Sequence, residues 1–257
     1  MVPPVRRLAA FLLAALAARP GPGLAVPAGC NPAELTVALD TGHSLASPGA
    51  TSARGAPEFE YNRRLALLVS AALARAGFPV LPVGLAGAPI RLEERTRLAR
   101  VGGAGLFLSL HHDSVQPHYL LDWTVDGGSR RYSDRFRGFS LFVSGATAQA
   151  APSRAFAGLL GEALLAAGLT PSLHHAEPIP GEGRPLLDAR IGLHRFDQLA
   201  VLRTATMPAV LLEAGVIVHR DEEEQVRSGR IGARIAEAVA SSVRRFCERQ
   251  ARRDPPG

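Results

Sequence analysis

The chain has 257 residues, of which 47% are apolar and 5% aromatic, with a formal net charge of +6. This length and apolar fraction exclude a disordered chain, and the many Ala and Leu with few aromatics favour helices packed on a sheet over an all-β sandwich. All 29 of its Lys/Arg cations are arginines, which suits polyanionic surroundings, but no aromatic or glycine-loop signature supports nucleic-acid binding.

Residues 1–29 read as an export signal: Arg6 and Arg7, the apolar run Leu8 to Ala18, then a Pro/Gly-rich stretch with cleavage positions at Ala25 and Ala28. The run is too short to span a bilayer as a mature helix. A lipoprotein signal competes, because Ala28-Gly29-Cys30 resembles the end of a lipobox, although Pro27 stands where leucine is usual. Simple secretion is the preferred reading, with membrane attachment expected only if Cys30 is acylated. Export would also allow the two cysteines, Cys30 and Cys247, to form one bridge closing almost the whole domain. Residues 30–257 then form a single domain of roughly 230 residues, large enough for a sizeable core, and a monomer is expected.

Strand and helix signals alternate from there on. Leu35 to Asp40 reads as a strand, and a Gly/Ser/Ala loop follows from His43 to Pro57. Glu58 to Ala76 reads as a helix with Leu65, Leu68, Val69, Ala72 and Leu73 on one stripe, closed by Gly77. Phe78 to Val83 is β-rich, and its two prolines place it at an edge. Leu92 to Val101 reads as a helix ended by Gly102-Gly103, and Gly105 to Leu110 as a strand. Gly138 to Ser144 is a further strand, Ser153 to Ala167 a helix, and Leu199 to Arg203 and Ala209 to Glu213 two more strands. A closing helix runs from Ile231 to Arg249 with Ile231, Ile235, Val239 and Phe246 inward. The order predicts an α/β three-layer sandwich: a mixed, mostly parallel sheet with helices on both faces. Ser114 to Arg137 and Thr170 to Phe196 break the rhythm as long polar stretches, and their position between strand ends predicts that they border a cleft.

His43, His111 and Glu213 fall where strands run out, and Glu58 opens the first helix. Ligands of open α/β sheets gather outside the carboxyl ends of the strands, so the four should converge. Two imidazoles and one carboxylate form a hydrolytic zinc set with an open position, and a second carboxylate can take the proton of water there. The residues therefore read as a zinc hydrolase.

The pattern resembles the zinc-dependent N-acetylmuramoyl-L-alanine amidases of type 3. Val37 to His43 is similar to the family's strand ending in Asp-x-Gly-His, and Gly49-Ala50, Glu58 and Asn62 to its Gly-Ala, glutamate and following asparagine. Leu92, Arg95 and Ala99 resemble its Leu-x-x-Arg-x-x-x-Ala helix, and Leu106 to Asp113 its Ser-Ile-His-Ala-Asn strand end. Val201 to Arg203, Pro208 to Glu213 and Gly215 are similar to its Val-Leu-Arg, Pro-Ala-Val-Leu-Val-Glu and following Gly. The resemblance implies His43, Glu58 and His111 as ligands of Zn2+, Glu213 as catalytic base, and peptidoglycan as substrate. The bond cut would be the amide between N-acetylmuramic acid and L-alanine, in the periplasm or outside the cell. Departures are Ser44 where the family has glycine, His112 for alanine and Asp113 for asparagine.

Several readings stay open at this level. Glu60 rivals Glu58 as ligand, and the spacing to Asn62 favours Glu58. His112 is a candidate either for supporting the ligands from behind or for oxyanion donation, though neighbours on a strand face opposite ways. Asp40 either orients His43 through its second N–H or forms a turn. In the long stretch holding His174, His175 and His194, Glu177 or Glu182 is a candidate blocking ligand that an activator protein would displace. A zinc peptidase acting within wall peptides is the rival enzyme, but the chain has no HExxH. A silent wall-binding module is the non-enzyme reading, and it would have no use for Glu213.

Overall fold

A computed structural model describes residues 30–252. The export-signal reading of residues 1–29 therefore lies outside the described residues.

Among the described residues, nine strands and six α-helices follow one another as β1 (Val37–Thr41), α1 (Glu58–Arg75), β2 (Val80–Val83), α2 (Leu92–Val101), β3 (Leu106–Asp113), β4 (Leu121–Val125), β5 (Gly128–Tyr132), β6 (Ser140–Val143), α3 (Ala150–Ala166), β7 (Leu186–Asp188), β8 (Leu193–Arg195), α4 (Ala200–Arg203), β9 (Ala209–Val216), α5 (Arg220–Arg227) and α6 (Arg230–Ala251). Seven strands form one sheet in the order β2-β1-β3-β9-β6-β8-β7, while β4 and β5 pair as a separate hairpin. The pairings β2-β1, β1-β3, β3-β9 and β6-β8 are parallel, whereas β6-β9 and β7-β8 are antiparallel. This is the expected mixed, mostly parallel sheet, with Pro82 accommodated because β2 is an edge.

Central strands β1 and β6 are buried at every position, as a strand covered on both faces must be. One face packs Val37, Leu39, Leu108, Leu141, Val210 and Leu212 against α1, α3 and α6. The other packs Ala38, Phe107, Phe142 and Leu211 against Ala99 of α2 and Val201 and Leu202 of α4. Three layers result. Ile231, Ile235, Val239 and Phe246 of α6 are all buried. In α1 the stripe holds at Leu65, Val69, Ala72 and Leu73, but Leu68 stays exposed.

Two element readings are corrected. Leu199 to Arg203 is not a strand: Ala200–Arg203 is a helical turn that covers the sheet through Val201 and Leu202. A four-residue run is too short for apolar periodicity to separate strand from helix. The long stretch Ser114 to Arg137 contains the β4-β5 hairpin, turned by Asp126-Gly127, both with positive φ as a tight hairpin turn requires. Cys30 and Cys247 form a disulfide with Cα atoms 5.2 Å apart, tying the start of the domain to α6. Cys30 is thereby committed to the bridge, against the acylated alternative.

Candidate metal centre and active site

Three of the four predicted residues are placed by the sheet. His43 follows β1 with φ 68°, a left-handed conformation rare outside glycine. It is held there by Arg95 from α2, whose Nη2 donates to the His43 carbonyl at 2.6 Å. His111 and Glu213 are direct partners in the parallel register of β3 and β9. Their side chains therefore emerge on one face, the face covered by α2 and α4. Glu58 reaches the same point from the first turn of α1, where a carboxylate is favoured by the helix dipole.

Glu58 is buried at 4% exposure and joins both imidazoles: its Oε2 lies 2.9 Å from His43 Nε2 and its Oε1 3.0 Å from His111 Nδ1. The three donor atoms lie within 4.8 Å of one another, close enough to share one metal ion. Ala50 N–H donates to Glu58 Oε2 at 3.1 Å, and Asn62 Nδ2 to Oε1 at 3.0 Å. The asparagine four residues on thus positions the carboxylate of Glu58, and it is Glu58 rather than Glu60 that joins the two imidazoles. Glu60 is exposed and lies 3.9 Å from Arg64 instead. Gly49 has φ 82°, and a Cβ there would stand 2.7 Å from His43 Nε2, so only glycine leaves the donors room. Burial pushes the Glu58 carboxyl up, but hydrogen bonds from His111 and His43 outweigh it and hold it well below the usual carboxylate range.

Glu213 differs. Burial, reinforced by the charges of Asp113 and Glu58, pushes its pKa well above the ordinary value, with His175 opposing. Its Oε2 has no hydrogen-bond partner among the described residues. It lines a cleft of about 570 Å³ together with His43, His111, His175, Glu182, Arg91 and Arg184, against an apolar wall that includes Ile90, Phe142, Phe196 and Leu199. A desolvated carboxylate beside a cation site is the arrangement expected of a general base.

Other readings need correction. Asp40 does not touch His43: it accepts from Arg95 Nη1 at 2.6 Å and Ser109 Oγ at 2.7 Å, wholly buried. Arg95 is the residue that links Asp40 to the His43 backbone. The sequence showed it only as one position of the family-like helix, since nothing in the helix itself says which loop the guanidinium will reach. His112 turns to the α1 side, where its Nδ1 pairs with Asn62 Oδ1 at 2.8 Å, and burial pushes its pKa down to about 4. It buttresses Asn62 and stays out of the cleft. Neither Glu177 nor Glu182 joins the His43-Glu58-His111 cluster: Glu182 pairs with His175 and Gln116, and Glu177 faces Arg135. Of the two long stretches, Thr170 to Phe196 borders the cleft, while Ser114 to Arg137 contributes no lining residue. Its Trp123 instead donates to the Ala53 carbonyl at 2.9 Å, bracing the loop before Glu58. Glu223 of α5 braces the same loop, accepting from Ser52 Oγ at 2.7 Å, Tyr61 OH at 2.8 Å and Arg54 at 2.9 Å.

Two imidazoles and a buried carboxylate around one point, facing an unpaired carboxylate across a cleft at the strand ends, define a hydrolytic α/β domain built on a candidate metal centre. The chain belongs to the N-acetylmuramoyl-L-alanine amidase family, whose model matches residues 37–245. The fold is similar to the catalytic domain of the amidase CwlV from Bacillus (Paenibacillus) polymyxa var. colistinus, with TM-score 0.62 and 23% identity over 82% of this chain and 97% of that one. It is also similar to the amidase Ami1 from Mycobacterium smegmatis, with TM-score 0.66 and 24% identity over 84% and 98% of the two chains. A third likeness is to the CwlD amidase from Clostridioides difficile in complex with the GerS lipoprotein, with TM-score 0.60 and 15% identity over 82% and 98%. No curated protein matches the chain.

Proposed function

We propose that this protein hydrolyses, with zinc, the amide between the lactyl group of N-acetylmuramic acid and the L-alanine of peptidoglycan stem peptides. The observation behind this reading is the convergence of His43, Glu58 and His111 opposite the unpaired Glu213. The donor set suits zinc: two imidazole nitrogens and one oxygen, with the Gly49 backbone leaving space beside them. His43, Glu58 and His111 would hold the ion, which supplies Lewis acidity to water and to the scissile carbonyl.

The chain's own residues do the rest. Glu213, whose Oε2 has no hydrogen-bond partner among the described residues, accepts the proton of the attacking water as its oxygen bonds to the carbonyl carbon. It then delivers that proton to the alanine nitrogen as the C–N bond breaks, so acid and amine leave balanced. The raised affinity of Glu213 for protons serves both halves of the cycle. Arg91 and Arg184 at the cleft supply positive charge for stem-peptide carboxylates, and the apolar wall of Ile90, Phe196 and Leu199 excludes water. Export through residues 1–29 to the periplasm or beyond is part of the proposal, and the Cys30–Cys247 bridge suits such an oxidising compartment. No described helix is long and apolar enough to cross a membrane. A protein partner is proposed because one structural relative was solved bound to a lipoprotein.

Digestion of purified peptidoglycan with and without a chelator, followed by mass analysis, tests the reading. Free stem peptides beginning at L-alanine, abolished by chelation and restored by zinc, are expected. Fragments cut within the stem would assign the protein to the peptidases, and undiminished release under chelation would remove the metal.

A further inference from the structure

A second group of side chains that could hold a metal ion begins two residues beyond His111, and the mechanism above gives none of them a bond-making or proton-transfer step. Asp113 ends β3 beyond a register shift between His111 and Asp113. His174 and His175 come from the cleft-bordering stretch, on the one-turn helix His174–Ala176. One oxygen, Asp113 Oδ2, lies 2.7 Å from His175 Nε2 and 3.3 Å from His174 Nε2, and the three donor atoms lie within 4.8 Å of one another.

Each histidine is fixed from behind. His174 Nδ1 pairs with Ser172 Oγ at 2.9 Å, and His175 Nδ1 with Glu182 Oε2 at 2.9 Å. Glu182 is itself held by Gln116 Nε2 at 2.7 Å. An outer oxygen on one ring nitrogen, with the other nitrogen turned inward, is how proteins orient imidazole ligands. Asp113 is prepared in the same way: its Oδ1 accepts from Ser114 N–H at 2.8 Å, leaving Oδ2 to face both rings. Phe136 stacks on His174 with ring centroids 5.0 Å apart, and Phe142 meets His175 edge-on at 4.9 Å, so two aromatic walls close the place.

An independent observation points to a missing ligand. His174 is 3% exposed, and its inward Nε2 makes no hydrogen bond of good geometry among the described residues, with Asp113 Oδ2 facing it at 3.3 Å. A buried ring nitrogen left unpaired costs about 1–3 kcal/mol, and this one is aimed at Asp113 Oδ2. A fully hydrogen-bonded string needs only one histidine between Asp113 and Glu182. The second, oriented by its own hydroxyl and aimed at the same oxygen, is superfluous unless something sits between them.

We propose that Asp113, His174 and His175 form a second divalent-cation site, of the imidazole-rich type that takes zinc, cobalt or nickel in preference to magnesium or calcium. Occupied, it would fasten the segment carrying Glu182 and Arg184, two cleft-lining residues, to the end of β3. The wall of the cleft would then depend on a cation separate from the one at His43, Glu58 and His111. The sequence signal was the departure of Asp113 and the His174-His175 pair, which lay far apart until the sheet brought them together.

The test is metal stoichiometry of the whole protein, stripped with chelator, reloaded with zinc and desalted before elemental analysis. The expected result is two equivalents for the unaltered protein, one for His174→Ala, one for His43→Ala and none for the double variant. His174→Gln, which preserves a polar group toward Ser172, should also hold one equivalent, and circular dichroism verifies that each variant is folded. Cobalt loading gives a second readout, since the visible spectrum of His43→Ala would report the second site alone. A single equivalent in the unaltered protein, or a stoichiometry unchanged by His174→Ala, overturns the proposal and leaves Asp113, His175 and Glu182 as a metal-free hydrogen-bonded string. The outcome is independent of which wall bond is cut, because the stoichiometry reads no activity.

Discussion

Replacing Arg95 by methionine should damage both the fold and the metal centre, by amounts the structure allows to be worked out. The Arg95 guanidinium is 3% exposed and donates to Asp40 Oδ1, the Thr41 carbonyl and the His43 carbonyl, each at 2.6 Å. Asp40 is 1% exposed, and its other partner is Ser109 alone. Methionine fills similar space but leaves a buried carboxylate without its counter-charge, a change that costs about 3–5 kcal/mol. Domains of this kind have a total stability of roughly 5–15 kcal/mol, so the loss is large. The second effect is on His43, whose φ of 68° is maintained by that hydrogen bond. Freed to relax, it should weaken metal binding by about 10- to 100-fold, as lost outer support for a ligand does. Denaturant unfolding and zinc titration measure the two. Asp40→Asn combined with Arg95→Met should recover part of the stability, because the unpaired charge is gone, with a coupling of about 1–3 kcal/mol. A loss below about 1 kcal/mol in Arg95→Met, with zinc affinity intact, would refute the assignment of Arg95 as the brace of the His43 loop.

Further expectations concern the base, the ligands, the bridge and pH. Glu213→Ala should retain zinc while turnover falls by about 100- to 10,000-fold, whereas His111→Ala should lose both; measuring metal content beside activity separates them. Serine at Cys30 or Cys247 opens a loop with a sequence separation of 217 and should cost up to about 5 kcal/mol by chain entropy, read as a lower melting temperature under oxidising conditions. Since burial and the Asp113 and Glu58 charges raise the Glu213 pKa, the acid limb of kcat/KM should lie above the ordinary carboxylate range, and a limb near pH 4 would contradict the base assignment. Burial lowers the His112 pKa from 6.5 to about 4, so the unfolded chain binds its proton first. Stability is then full above about pH 6.5 and declines as pH falls toward 4, by roughly 3 kcal/mol at most, with His112→Asn expected to flatten that part of the profile.

Sequence alone determined the alternation of elements, the three layers and the four residues of the proposed site. These depend on local patterns: apolar runs of strand length, the stripe of α1, and polar residues placed where a run ends. Strand ends of an open sheet converge by topology, so His43, His111 and Glu213 could be joined without coordinates, Glu58 was added as the carboxylate that opens α1, and the resemblance to the amidases divided the roles among the four. The sequence also showed that the cysteines could pair, but only the packing of α6 beside the domain's start put their Cα atoms 5.2 Å apart. What needed the tertiary structure were contacts whose partners are distant in the chain and carry no periodic signal. Arg95 meets Asp40 and His43 across 55 and 52 residues, and His175 meets Asp113 across 62. The side on which His112 falls was foreseeable from strand alternation, and a supporting role was among its readings, while Asn62 as its partner was not. Short elements such as Ala200–Arg203 were undecidable, because four residues give barely one helical turn and two extended repeats, too few for apolar spacing to separate the two. Hydrophobic periodicity is a property of neighbouring residues, whereas a buried polar contact is a property of two surfaces brought together, and only folding decides which surfaces those are.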